Sequence, residues 1–266
     1  MELLVDGDLF NEKAQGRKGG ETSPLIFPFA PLRLCVESYR IAMELPVFHD
    51  NLRSSASWTA ELEREGRTWQ QTTTNADTRV RELQLEQAIE RMGEQDAARL
   101  VEAADLVSTW ALESEATLDI DRLVRLYRVL TGARDSENIF RSSEARKLSP
   151  YHDPAPAAIL PRLLDNAFDW FRTPSFGEIH AVEQAALVHL RLYDLQPFQT
   201  AHAEMSVLAA SFYIERSGLP RLIIFADEAT ATRYEAAIEA AFRMLTQPLV
   251  EFIAESLIRT IKAVRT

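Results

Sequence analysis

Residues 189–208 read HLRLYDLQPFQTAHAEMSVL, and this stretch decides the fold. Up to Leu195 the apolar residues recur at helical spacing. Pro197 then has no backbone N–H to continue a helical ladder, so the helix must stop just before it. The proline starts a turn, and Phe198, large and apolar, is suited to anchor that turn in a core. Helical spacing resumes at Ala203 and runs to Ser217, where Gly218 and Pro220 close the segment. The reading is two central antiparallel helices joined by a tight loop over Leu195 to Ala203.

The same periodicity extends outward in both directions. Arg81 to Met92 and Asp96 to Glu113 repeat apolar residues every three or four positions, as amphipathic helices do. Asp119 opens a short helical segment that Gly132 ends, since glycine readily takes the left-handed backbone of a helix C-terminus. Residues 133–154 break the rhythm, with Pro150 and Pro154 near the end, and read as a loop or hairpin. Helices follow at Ala157 to Phe171 and Glu178 to Leu195. After the central pair, Leu222 to Phe225 leads to an Asp227-capped helix through Leu245, and Pro248 starts a last helix with one apolar stripe. No stretch alternates apolar and polar residues over a strand's length, so the class is mainly α. Residues 8–24 mix glycine and charge without periodicity. The expected organisation is a flexible arm over 1–30, a helical region over 31–115 and a core domain over 116–266.

Composition removes several function classes. The chain has 266 residues and a net charge of −11, and an acidic body repels phosphate backbones and anionic lipid surfaces. Nucleic acid and membrane are therefore not expected partners. No apolar run approaches the roughly 18 residues of a membrane-spanning helix, and the acidic start does not suit a signal peptide; a cytoplasmic location is expected. Cys35, the lone cysteine, can form neither an intrachain disulfide nor a cysteine zinc cluster, and is expected as a buried inert thiol. The chain holds no phosphate-binding glycine loop, no H-E-x-x-H and no G-x-S-x-G elbow. No cofactor and no metal is expected.

The layout around Pro197-Phe198 resembles the Fic (Fido) family. Its members carry H-P-F-x-D-G-N-G-R between two such helices, with a histidine seven residues earlier, as His189 precedes Gln196 here. Leu118 to Gly132 looks like the helix leading into the family's flap, and Ile139-Phe140-Arg141 looks like the start of that flap. Leu160 to Phe171 resembles the helix after it, Ser217 to Pro220 the exit from the active-site helix, and Tyr234 with the Pro248 to Ile261 helix the C-terminal pair. The resemblance covers about residues 116–266 and implies a Fic-like helical fold with a short flap hairpin over the cleft.

Fic enzymes typically transfer AMP from ATP to a hydroxyl, and the resemblance implies how this chain departs from them. The family's general base becomes Gln196, a neutral amide with no useful basicity. Pro197 and Phe198 are retained. The metal-holding aspartate becomes Thr200, the two loop glycines become Ala201 and Ala203, and the asparagine and arginine become His202 and Glu204. A cation about 4 Å from a phosphate attracts it by about 4 kcal/mol at an effective dielectric of about 20, and a carboxylate repels it by as much. An alanine forced into a left-handed backbone costs roughly 1–2 kcal/mol. The loop's shape is expected to persist and its chemistry to be lost.

Two uses of the site remain open. His202 and Glu204 could form a new acid–base pair, serving nucleotidyl transfer or another chemistry in a repurposed cleft, or they could be a solvent-facing residue and a favourable first-turn acid. The flap, with Ile139, Phe140, Arg141, Ser142 and Ser143, could hold a protein or peptide segment by strand addition, which needs an exposed edge and few side chains. His189 reads as a core or cap histidine. His152, followed by Asp153, reads as a turn residue with a solvated imidazole, while His180 and His49 stand alone. Ser57 to Glu61, and the register ending at Glu65-Gly66, are loosely similar to the inhibitory helix of many Fic proteins but read as a charged helical face. The expectation is a Fic-fold binding or regulatory module that no longer transfers AMP.

Overall fold

The computed structural model describes residues 47–71 and 75–265. The arm expected over 1–30, Cys35 and the side chain of His49 lie outside the described residues. In chain order the helices are α1 (Val47–Gln71), α2 (Ala76–Met92), α3 (Glu94–Ala111), α4 (Ile120–Thr131), α5 (Leu160–Phe171), the single turn α6 (Pro174–Gly177), α7 (Ala181–Leu195), α8 (His202–Arg216), α9 (Glu228–Phe242) and α10 (Gln247–Arg265). Among the described residues no strand forms. One antiparallel bridge, Phe140 to Phe198, is the nearest approach to a sheet there.

Local chemistry sets the helix ends. Asp119 accepts the Arg122 N–H at 2.8 Å and starts α4, and Gly132 ends it with φ of 72°, a conformation glycine adopts without steric cost. Asp227 does the same for α9 through the Thr230 N–H at 2.9 Å. The helix expected from Glu178 begins instead at Ala181. The turn α6, capped by Thr173, uses up the preceding residues, and His180 then caps α7 by accepting the Val182 N–H on Nδ1 at 3.2 Å.

The antiparallel pair α7 and α8 lies at the centre and serves two cores. Val188, Leu192 and Leu195 of α7, with Met205, Leu208 and Phe212 of α8, join α3, α4 and α5 around Trp110, Leu126 and Phe168. The opposite faces, Val182 and Ala186 of α7 with Ala210 and Ile214 of α8, meet α1, α9 and α10 around Trp58, Leu249 and Phe252. Alanines on the shared faces let the two helices approach closely. At the far edge Glu61 and Glu65 of α1 accept hydrogen bonds from Lys262 and Arg265 of α10, both at 2.7 Å. The charged face of α1 is thus turned to α10.

Candidate functional site

The loop between α7 and α8 is held by its backbone and one ring. Gln196 ends α7 in a left-handed conformation, φ 41° and ψ 60°, donating its N–H to the Leu192 carbonyl, and Pro197 stops the ladder. Phe198 is 1% exposed and stacks between Tyr127, at 4.4 Å, and Phe140, at 5.5 Å. Ala201 is again left-handed, φ 57° and ψ 33°, before α8 begins at His202. That conformation strains a residue with a Cβ by roughly 1–2 kcal/mol. Ala203 lies inside α8 and carries no such strain.

The segment after α4 is fastened to this loop and is no hairpin among the described residues. The Arg141 N–H donates to the Pro197 carbonyl at 3.0 Å and the Gln199 N–H to the Ile139 carbonyl at 3.1 Å. Side chains extend the seam. Gln199 donates its amide to the Asn138 carbonyl at 2.6 Å, and Gln196 donates its amide to the Arg146 carbonyl at 2.8 Å. Arg141, 7% exposed, donates to the carbonyls of Leu195, Gln196, Ser143 and Ala155. Ile139 is likewise buried and Phe140 half-buried, whereas Ser142 and Ser143 are exposed. Of the five residues expected to hold a partner, the two left exposed are therefore Ser142 and Ser143.

The polar residues expected at the site are placed apart. Thr200 is exposed, and its hydroxyl meets the Tyr127 hydroxyl at 3.1 Å. His202 and Glu204 both fall in the first turn of α8, and residues two apart on a helix do not face each other. His202 is half-buried, its pKa lowered first by burial and then by the nearby Arg141 cation. Glu204 instead lines a cavity of about 190 Å³ with Arg91, Leu100, Ile224 and Tyr234. No shared acid–base geometry results. His189 is 1% exposed, with Nε2 at 2.8 Å from the Tyr234 hydroxyl.

His152 departs from its sequence reading. Its imidazole is 1% exposed and stacks on Phe242 at 4.6 Å. Nδ1 accepts the Leu148 N–H at 3.1 Å, which leaves Nε2 to donate to the Asp194 carbonyl at 3.0 Å. A histidine beside an aspartate in a proline-bordered loop suggests a solvated turn; the apolar cover comes from α9, remote in sequence. Arg91, Tyr127 and Tyr234 of the site's surroundings belong to other helices as well, and no local pattern marks Arg91 or Tyr127.

No protein-family model matches the chain. Sequence comparison pairs it with a protein adenylyltransferase Fic of Nematostella vectensis, 29% identical over 168 residues, which are 62% of this chain and 38% of that protein. The chain thus spans well under half of that relative's length. In structure it matches a Fic domain containing signaling protein from Bacteroides thetaiotaomicron with a TM-score of 0.68 at 16% identity, over 78% of this chain and 97% of the other. The chain has the Fic fold. A second Fic structure, IbpAFic2 covalently tethered to Cdc42, matches with a TM-score of 0.51 at 16% identity, over 84% of this chain and 82% of that one. In this Fic-fold chain the α7–α8 loop, the first turn of α8 and the segment after α4 together carry every residue expected at the site. Among the described residues no helix is long and apolar enough to cross a membrane.

Proposed function

We propose that this Fic-fold protein does not transfer AMP and serves as a binding or regulatory module, meeting a protein segment at the exposed stretch after Arg141. The carrying observation is Gln196, which the family resemblance puts in the place of the general base. It is 2% exposed, and its amide nitrogen is committed to the Arg146 carbonyl at 2.8 Å. An amide so placed cannot take a proton from an attacking hydroxyl.

The surrounding donor set does not fit a magnesium nucleotide. Thr200 offers a hydroxyl already shared with Tyr127 where the family resemblance implies a carboxylate. Glu204 brings negative charge to the start of α8, where phosphates would otherwise be welcome. The cavity beside it, about 190 Å³, is below the roughly 300 Å³ at which small-molecule sites begin.

Recognition by backbone makes no use of these groups. Ser142, Ser143, Glu144, Arg146 and Lys147 are exposed and contain no proline to block pairing. Another Fic structure holds Cdc42 in a covalent tether, which makes a protein a reasonable class of partner here. Incubation with labelled ATP, magnesium and lysate proteins should give no adenylylated band above background; such a band would overturn the proposal. A variant combining Gln196→His, Thr200→Asp, Ala201→Gly, His202→Asn, Ala203→Gly and Glu204→Arg should regain nucleotide binding.

A further inference from the structure

On the flank of the central helices lies a groove of about 410 Å³, walled by Leu163 and Trp170 of α5, Leu187 and Leu190 of α7, and Phe242 at the end of α9. That volume falls in the range of about 300–1,000 Å³ typical of small-ligand sites. Tyr151, Ile159 and Met244 line it and are exposed, at 54%, 43% and 43%. The lining is apolar apart from a few groups, and one of those is unusual. Arg191 of α7 lines the groove yet is only 5% exposed. Its Nη1 donates to Asp194 Oδ2 at 3.1 Å, while Nε and Nη2 are buried without any partner.

Such donors are rarely left unmet, because burial strips their water and nothing replaces it. The two orphaned nitrogens sit on one edge of the guanidinium, and their N–H groups run parallel at the spacing of a carboxylate's two oxygens. Asp194 already occupies the Nη1 side, and its other oxygen lies 3.5 Å from His152 Nε2. Asp153 also lines the groove. Two aspartates beside one arginine oppose a multiply charged ligand, so the bidentate geometry of the orphaned edge, and not net charge, must select a carboxylate. We infer that this groove binds an apolar small molecule bearing one carboxylate, the carboxylate paired with the Nε–Nη2 edge of Arg191 and the apolar body laid against Leu163, Trp170 and Phe242. The inference is independent of the fate of AMP transfer, since no residue of the α7–α8 loop lines the groove.

Phenylbutyrate and its neutral analogue phenylbutyramide, titrated calorimetrically into the full chain, test it. The carboxylate should bind about tenfold tighter or better, as a bidentate charged pair replaces a neutral contact. Arg191→Met keeps the apolar stem and should erase the difference. Because that change deprives Asp194 of its partner and could impair folding, Ile159→Glu at the exposed rim provides a second arm. It should weaken phenylbutyrate and leave phenylbutyramide unchanged. Equal binding of the two probes, a preference that survives both substitutions, or no binding of either probe in the low-millimolar range would overturn the inference.

Discussion

His189 sits inside the central helix pair with Nε2 against the Tyr234 hydroxyl and Nδ1 unpartnered. Burial pushes its pKa from 6.5 down to about 4, because the charged imidazolium has no water there. The folded protein therefore resists a proton that the unfolded chain accepts. Its contribution is complete above pH 6.5 and is withdrawn as pH falls toward about 4, by about 3 kcal/mol in all. Carboxylates add their own acid sensitivity, so the diagnostic is a difference. Between pH 7 and pH 4.5, wild type should lose about 2–3 kcal/mol more stability to urea than His189→Gln, whose side chain cannot titrate. Equal losses would show that His189 is protonated in the fold. Ala201 illustrates the other residue-scale constraint. Its left-handed backbone, φ 57°, is a conformation that glycine takes freely, so the alanine holds the loop there at a cost in strain.

At the scale of elements, Arg141 fastens the segment after α4 to the end of α7 and its loop by donating to the Leu195 and Gln196 carbonyls, and braces the segment itself by donating to those of Ser143 and Ala155. Arg141→Ala leaves the Leu195 and Gln196 acceptors buried and unmet, and should cost about 3 kcal/mol in urea unfolding. Trypsin should also cut after the exposed Arg146 and Lys147 faster than in wild type. Unchanged stability and cleavage would mean that the backbone bridge alone holds the segment. This seam separates what the sequence made legible from what it concealed. The helices and the tight turn at Pro197-Phe198 follow from local rules of periodicity, capping and proline geometry, and they stand within a few residues of expectation. The partners of the seam are 50 or more residues apart, as Gln196 and Arg146 are, and no local pattern selects them. Arg141 reads from sequence as a residue offered to a partner, while the fold has spent it on its own carbonyls. His152 escaped for the same reason, since Phe242 of α9 covers its ring.

For the whole molecule, 266 residues are enough for two independent folding units, and two large apolar clusters exist. Their geometry argues for one unit. Ala186 and Val188 of α7 point into different clusters although they are two residues apart, and Ala209 and Ala210 of α8 do so as immediate neighbours. Unravelling α7 or α8 to release one cluster necessarily strips the other. Leu249, fully buried in the second cluster, offers a direct test, since truncating a buried leucine costs roughly 2–5 kcal/mol. Trp58 reports on the second cluster and Trp110 on the first. In single-tryptophan variants, with the remaining tryptophans replaced by phenylalanine, the two probes should show coincident urea transitions, and Leu249→Ala should move both midpoints equally. A shift confined to Trp58 would divide the molecule along the α7–α8 interface. The loop at Gln196 would then depend on the first cluster alone, because Phe198, Tyr127 and Phe140 all pack there.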